Sequence, residues 1–169
     1  LTAEESIDYL YSLIPNGIKL GLENISFVLR ELGNPQKKTP TIHIAGTNGK
    51  GSTAAFCESI LRNADYRVGL YTSPHLISFE ERIQINRNPI PEGEMVTCIK
   101  RIKNEVEKFK KPMKFVEFGI AMKKLNFSDH KTKNNVIEVG MGGSLDATSH
   151  SRGDISISTS IAKDHTDQM

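Results

Sequence analysis

Apolar positions in this chain follow two different spacings. Leu22, Ile25, Leu29 and Leu32 recur three and four apart, which predicts a helix with one buried face, and Gly33-Asn34-Pro35 supplies its stop. Upstream, Thr2 with Glu5 forms a capping-box pattern ahead of a helix reaching about Leu13. Met95, Cys98, Ile99, Ile102, Val106 and Phe109 mark a long amphipathic helix over 91–110, and 115–127 and 53–63 read as further helices. Against these stand short apolar runs of strand length, at 42–45, 67–71, 135–139 and 155–161. Residues 82–86 alternate like an edge strand, expected to turn at Asn88-Pro89. The stretches 73–81 and 140–150 are expected to be loops.

Strand, glycine-rich turn, helix and strand follow one another over 42–71, which is a βαβ unit and implies parallel pairing. The fold class expected is therefore α/β, P-loop-containing, with a mostly parallel doubly wound sheet. Ligands of such sheets sit beyond the carboxyl ends of the strands. That rule sorts the polar residues. Gly46 to Ser52 follow the first strand, and Thr72-Ser73-Pro74-His75 follow the second. Glu138 lies near the end of a third strand, and Asp164-His165 follow a fourth. Four strand ends are expected to converge on one edge.

The loop Gly46-Thr47-Asn48-Gly49-Lys50-Gly51-Ser52 departs from the standard phosphate-loop pattern at two places. Ile44 stands where the first glycine belongs, and Gly51 where Ser or Thr would hold Mg²⁺. The chemistry is otherwise intact. Gly46, Gly49 and Gly51 let backbone N–H groups approach phosphate oxygens, the following helix adds its positive end, and Lys50 suits the β- and γ-phosphates. Ser52 is placed to hydrogen-bond a phosphate. The metal then needs oxygen from another strand end, and Ser73 is the obvious supplier. Glu138 offers a hard carboxylate suited to Mg²⁺, and His165 a second metal position.

Composition narrows the partners. A net charge of +2 across 169 residues recruits neither nucleic acid nor an anionic membrane, and no apolar run approaches the ~20 residues of a membrane span. Lys37-Lys38, Lys100-Arg101, Lys110-Lys111 and Lys123-Lys124 read as solvated faces. Cys57 and Cys98 sit singly in helical segments and read as reduced core thiols, in keeping with a cytoplasmic location. The chain opens at Leu1 and stops at Met169 just after a strand-like run, so it reads as cut from something longer.

Four stretches, "HIAGTNGKGSTAAF", "VGLYTSPHL…ERIQIN", "VIEVGMGGSLDATS" and "TSIAKDHTD", together closely resemble folylpolyglutamate synthase/dihydrofolate synthase of the Mur ligase superfamily. The resemblance runs from about Leu10 to the last residue. It implies an ATP-dependent amide ligase: ATP phosphorylates a folate or dihydropteroate carboxylate, and the amine of L-glutamate attacks the acyl phosphate. It further implies nucleotide binding by Gly46 to Ser52, with Lys50 catalytic, and Mg²⁺ held by Ser73, Glu138 and His165. His75, Arg82 and Asp146 are implied contacts to the pterin-bearing substrate.

The resemblance has limits. Ser144 and Ser149 replace the arginine and asparagine usual in the family's Gly-Gly-Arg-Leu-Asp-Ala-Thr-Asn motif, and a rigid, always-charged donor is lost with the arginine. The family's later lysine, the rest of its ATPase domain and its carboxy-terminal domain have no counterpart here. The expected organisation is thus the amino-terminal part of a P-loop ATPase domain, on which a missing carboxy-terminal domain would pack. The alternative is a nucleotide-binding module that ligates nothing.

Overall fold

The structure is a computed structural model that describes residues 1–14, 22–140 and 154–160. Its described elements are α1 (Ala3–Ser12), α2 (Leu22–Glu31), β1 (Thr41–Ala45), α3 (Lys50–Asn63), β2 (Val68–Tyr71), β3 (Ile83–Ile85), β4 (Asn88–Pro89), α4 (Glu92–Phe109), α5 (Phe115–Asp129), β5 (Asn134–Glu138) and β6 (Ile155–Ser158). The strands form one sheet in the order β4-β3-β2-β5-β1-β6. β2, β5, β1 and β6 run parallel, while β3 and β4 add an antiparallel edge.

Neighbouring residues on one strand feed opposite cores, as strand geometry demands. Val136 joins Ile44, Ala54, Val68 and Leu70 beneath α3. Ile137, the next residue, joins Ile83, Ile99, Phe118 and Phe127 on the side of α4 and α5. Each fully buried side chain of this kind contributes about 1.5–3 kcal/mol. Helices on both faces make the sheet doubly wound, as expected. Gly69 in β2 is a point of close approach: a Cβ there would lie 2.7 Å from both Asn135 Oδ1 and the Phe127 ring.

Three expectations shift in detail. α3 begins at Lys50, earlier than the apolar pattern indicated, because Gly49 turns the chain at φ +80 and its carbonyl accepts from Thr53 N–H at 2.9 Å. The β3–β4 turn falls at Asn86-Arg87 (φ 49 and 68), not at Asn88-Pro89. Asn86 is pinned there because its Oδ1 accepts from Val68 N–H at 2.8 Å, and its own N–H donates back to Val68 O at 2.9 Å. Consequently β3 is interior to the sheet, and β4 with its Pro89 forms the edge, where a missing donor costs least.

The amphipathic reading of α4 holds, with Met95, Cys98, Ile99 and Ile102 buried. The solvated-face reading of Lys123-Lys124 does not: α5 is covered on almost every side, so both lysines are buried, and Lys123 Nζ lies 4.4 Å from the centre of the Tyr71 ring. Cys57 and Cys98 are free thiols, and burial pushes the Cys98 thiol up to about 12. Among the described residues no helix is long and apolar enough to cross a membrane.

Candidate functional site

Three parallel strands deliver loops to one edge. β1 ends at Ala45, and Gly46 follows at φ +139, a conformation L side chains avoid. A side chain at 46 would also collide with Thr159, which follows β6. Thr47 N–H donates to Ser160 O at 2.9 Å and Thr159 N–H to Ala45 O at 2.8 Å, so the start of the loop is stitched to the neighbouring strand end. Gly49 then reverses the chain into α3, whose first turn receives no side-chain cap. Its leading N–H groups and the positive helix end face the loop, the arrangement that binds phosphate elsewhere. Lys50 sits in that first turn and its Nζ donates to Thr47 O at 3.1 Å, folded over the loop.

Glu138 ends β5 directly beside this turn. A Cβ on Gly51 would lie 3.7 Å from Glu138 Oε2, so the carboxylate occupies the region that a Ser or Thr hydroxyl at position 51 would reach. The loop's second departure from the standard pattern thus coincides with an acidic oxygen supplied from another strand. Ser73, just past β2, donates its backbone N–H to the same Oε2 at 3.2 Å. Glu138 is only 8% exposed, and burial raises its carboxyl above the usual carboxylate range. The Ser73 N–H and the Lys50 charge pull the other way without reversing it.

Of the expected metal ligands, Ser73 and Glu138 are therefore brought together. His165 and Asp146 lie outside the described residues, as do Ser144 and Ser149. Among the described residues, no group of three or more His, Cys, Asp or Glu side chains gathers. A buried carboxylate with a hydroxyl-bearing residue against it is a donor set that fits one side of a hard divalent cation.

His75 and Arg82 meet in the loop after β2: Arg82 Nε–H donates to His75 Nδ1 at 2.8 Å. This loop is more ordered than a loop reading implied. The Glu81 carboxylate accepts from the N–H groups of Leu76, Ile77 and Ser78 at 2.9, 2.9 and 3.0 Å, which holds its carboxyl below the usual range, the Leu76 bond contributing most. A Ser78-x-x-Glu81 capping pattern was the available signal for it. Tyr11, Phe79 and Phe115, which surround Arg82 and His75, carried no such local signal.

A glycine loop between the first strand of a mostly parallel sheet and a helix defines a P-loop α/β protein, and a Mur-ligase-like fold is consistent with it. No family model matches the chain. The dihydrofolate synthase/folylpolyglutamate synthase of Bacillus subtilis is 36% identical over 168 residues, covering 96% of this chain and 39% of that protein. The apo form of Lacticaseibacillus casei FPGS superimposes with a TM-score of 0.91 at 33% identity, over 99% of this chain and 42% of that one. Escherichia coli FolC in complex with DHPP and ADP gives a TM-score of 0.89 at 36% identity, over 99% and 40%. The chain belongs to the folylpolyglutamate/dihydrofolate synthase family, and it spans about two fifths of the length of the relatives it matches.

Proposed function

We propose that this chain is the nucleotide- and metal-handling part of an ATP-dependent ligase that adds L-glutamate to a folate or dihydropteroate carboxylate. The observation that carries the reading is the placement of the Glu138 carboxylate against Gly51 and Ser73, at the uncapped start of α3. ATP is the phosphoryl donor. In this reading the N–H groups of 46–52 and Lys50 bind its phosphates and offset the charge that spreads over the transferring group. Ser52, exposed in the first turn of α3, hydrogen-bonds a phosphate. Ser73 and Glu138, with His165, hold Mg²⁺, which when bound neutralises phosphate charge. His75, Arg82 and Asp146 contact the pterin-bearing substrate, whose carboxylate becomes an acyl phosphate and then an amide. The further length present in the relatives supplies the glutamate side, through a carboxy-terminal domain packed on this one.

Titration calorimetry tests the reading on the chain itself, using Mg·ATP with and without a pteroate substrate. Saturable Mg·ATP binding, strengthened or weakened by the pteroate, is the expected result. No binding of either would overturn it. Glutamate transfer by these 169 residues alone is expected to be undetectable, because both reactants must be positioned together for the proximity gain. Measurable transfer would show that the division of labour proposed here is wrong.

A further inference from the structure

Arg82 uses one of its donors on His75, and that single bond fixes a tautomer. An arginine N–H only donates, so His75 Nδ1, 2.8 Å from Arg82 Nε, must be the unprotonated nitrogen. A neutral ring then carries its proton on Nε2, and that N–H donates to the Tyr11 hydroxyl oxygen 3.4 Å away. Tyr11 lies on α1, 64 residues distant in sequence. Its ring stacks on Phe115, with centroids 6.0 Å apart and planes 14° from parallel. The Arg82 guanidinium sits 5.4 Å from the Phe79 ring centre and 5.6 Å from that of Phe115. Aromatic packing sets where the guanidinium lies, and the bond to His75 sets how it is turned. Its terminal Nη groups have no hydrogen-bond partner among the described residues.

We propose that Tyr11 is a positioning residue for the substrate loop: it holds His75 as the Nε2–H tautomer, and so aims the Arg82 fork at acceptor atoms of the pterin-bearing substrate. The inference rests on the substrate-loop reading given under Proposed function. Without the Tyr11 oxygen Nε2–H loses its protein acceptor, only the bond from Arg82 still favours this tautomer, and the other tautomer gains population. Nδ1–H would then face Arg82 Nε–H, donor against donor, and the guanidinium would turn away. Protonating His75 has the same consequence. The groups facing the ring in that case are Tyr11 from α1, and Phe79, Glu81 and Arg82 from its own loop.

Two variants separate the hydroxyl from the stack. Tyr11→Phe keeps the ring on Phe115, whereas Tyr11→Ala removes both, and Tyr11 is 39% exposed, so neither opens the core. Nitrogen-15 NMR of histidine-labelled chain reads the tautomer, while separate titrations with a dihydropteroate and with Mg·ATP read the two subsites. The expected result is His75 as Nε2–H in the parent chain and mixed tautomers in Tyr11→Phe. Pteroate affinity should fall roughly three- to tenfold in Tyr11→Phe and further in Tyr11→Ala, with Mg·ATP affinity unchanged. An Nδ1–H tautomer in the parent, or a tautomer or pteroate affinity unmoved in both variants, overturns the proposal. If the parent binds Mg·ATP but no pteroate, the substrate-loop reading fails, and the tautomer measurement alone decides the role of Tyr11.

Discussion

The two ends of the parallel strands use polar residues in opposite ways. At the amino end the polar side chains satisfy one another. Thr39 Oγ1 donates to Thr132 O at 3.0 Å, and Thr132 Oγ1 to Asn135 Oδ1 at 2.7 Å, in a region nearly closed to solvent. Arg67 Nη2 donates to His130 Nδ1 at 2.9 Å, and His130 Nε2–H passes on to Glu94 at 2.6 Å. At the carboxyl end, glycines at positive φ replace side chains, α3 starts without a cap, and Glu138 takes a backbone N–H from Ser73. One end spends its polarity on holding strands in register. The other leaves the first turn of α3 without a side-chain cap and sets the Glu138 carboxylate beside it, as the proposed nucleotide site requires.

The sharpest way to break this contrast is at Lys50. Lys50→Ala removes the one loop cation, and charge-assisted bonds to phosphate are the strong kind. Mg·ATP affinity is expected to fall about 100-fold, with the unfolding midpoint little changed. Calorimetry returning the parent affinity would dismiss the phosphate-loop assignment.

The mirror experiment belongs at the amino end. Thr132→Val deletes the hydroxyl that donates to Asn135 Oδ1 and leaves a buried acceptor unpaired. A loss of about 1–3 kcal/mol in denaturant unfolding is expected, with Mg·ATP affinity at the parent value once the protein is folded. A large affinity change instead would mean the two ends are energetically coupled.

Ser73 and Ser52 divide the carboxyl end more finely. The bond from Ser73 to Glu138 comes from the backbone, so Ser73→Ala keeps the carboxylate in place and removes only the hydroxyl. Ser73→Ala should reduce the Mg²⁺ enhancement of nucleotide affinity roughly tenfold, whereas Ser52→Ala should weaken binding evenly with and without Mg²⁺. The reverse pattern in the two titrations would make Ser52 the metal ligand.

How far the sequence anticipated this molecule depends on how local each determinant is. Helices α2 and α4 were legible because their apolar residues repeat at 3.6-residue spacing, and the convergence of Gly46, Ser73 and Glu138 followed from the rule about strand ends. The hairpin was misplaced because Asn88-Pro89 carries the stronger turn chemistry. Arg87 at φ 68 is an unusual occupant, tolerated because Asn86 beside it is bonded to Val68 on both sides. The contact of Tyr11 with His75 was not legible at all. It joins an exposed helical position to a loop 64 residues away, and nothing in either segment's pattern encodes their meeting. The expectations for Asp146 and His165 concern residues outside those described.

The smallest effect expected is also the one that separates stability from function within a single residue. Burial raises the Glu138 carboxyl above its ordinary range, against the opposing Ser73 N–H and Lys50 charge. The folded protein therefore binds that proton more tightly than the unfolded chain does. In the window between the unfolded value near 4.5 and the higher folded one, stability from this group falls as pH rises, and above it the buried carboxylate is a standing cost. Glu138→Gln keeps the shape and removes the charge. At pH 7 it should raise the unfolding midpoint slightly, and this gain should vanish as pH drops through the window, where the parent carboxyl is protonated. The same variant should lose most of the Mg²⁺ enhancement of nucleotide binding, because a neutral amide is a poor ligand for a hard cation. Paired melts at pH 7 and pH 4, with titrations at pH 7, decide it. A midpoint lowered at pH 7 would mean that Glu138 stabilises the empty fold, and the carboxyl end would then resemble the amino end after all.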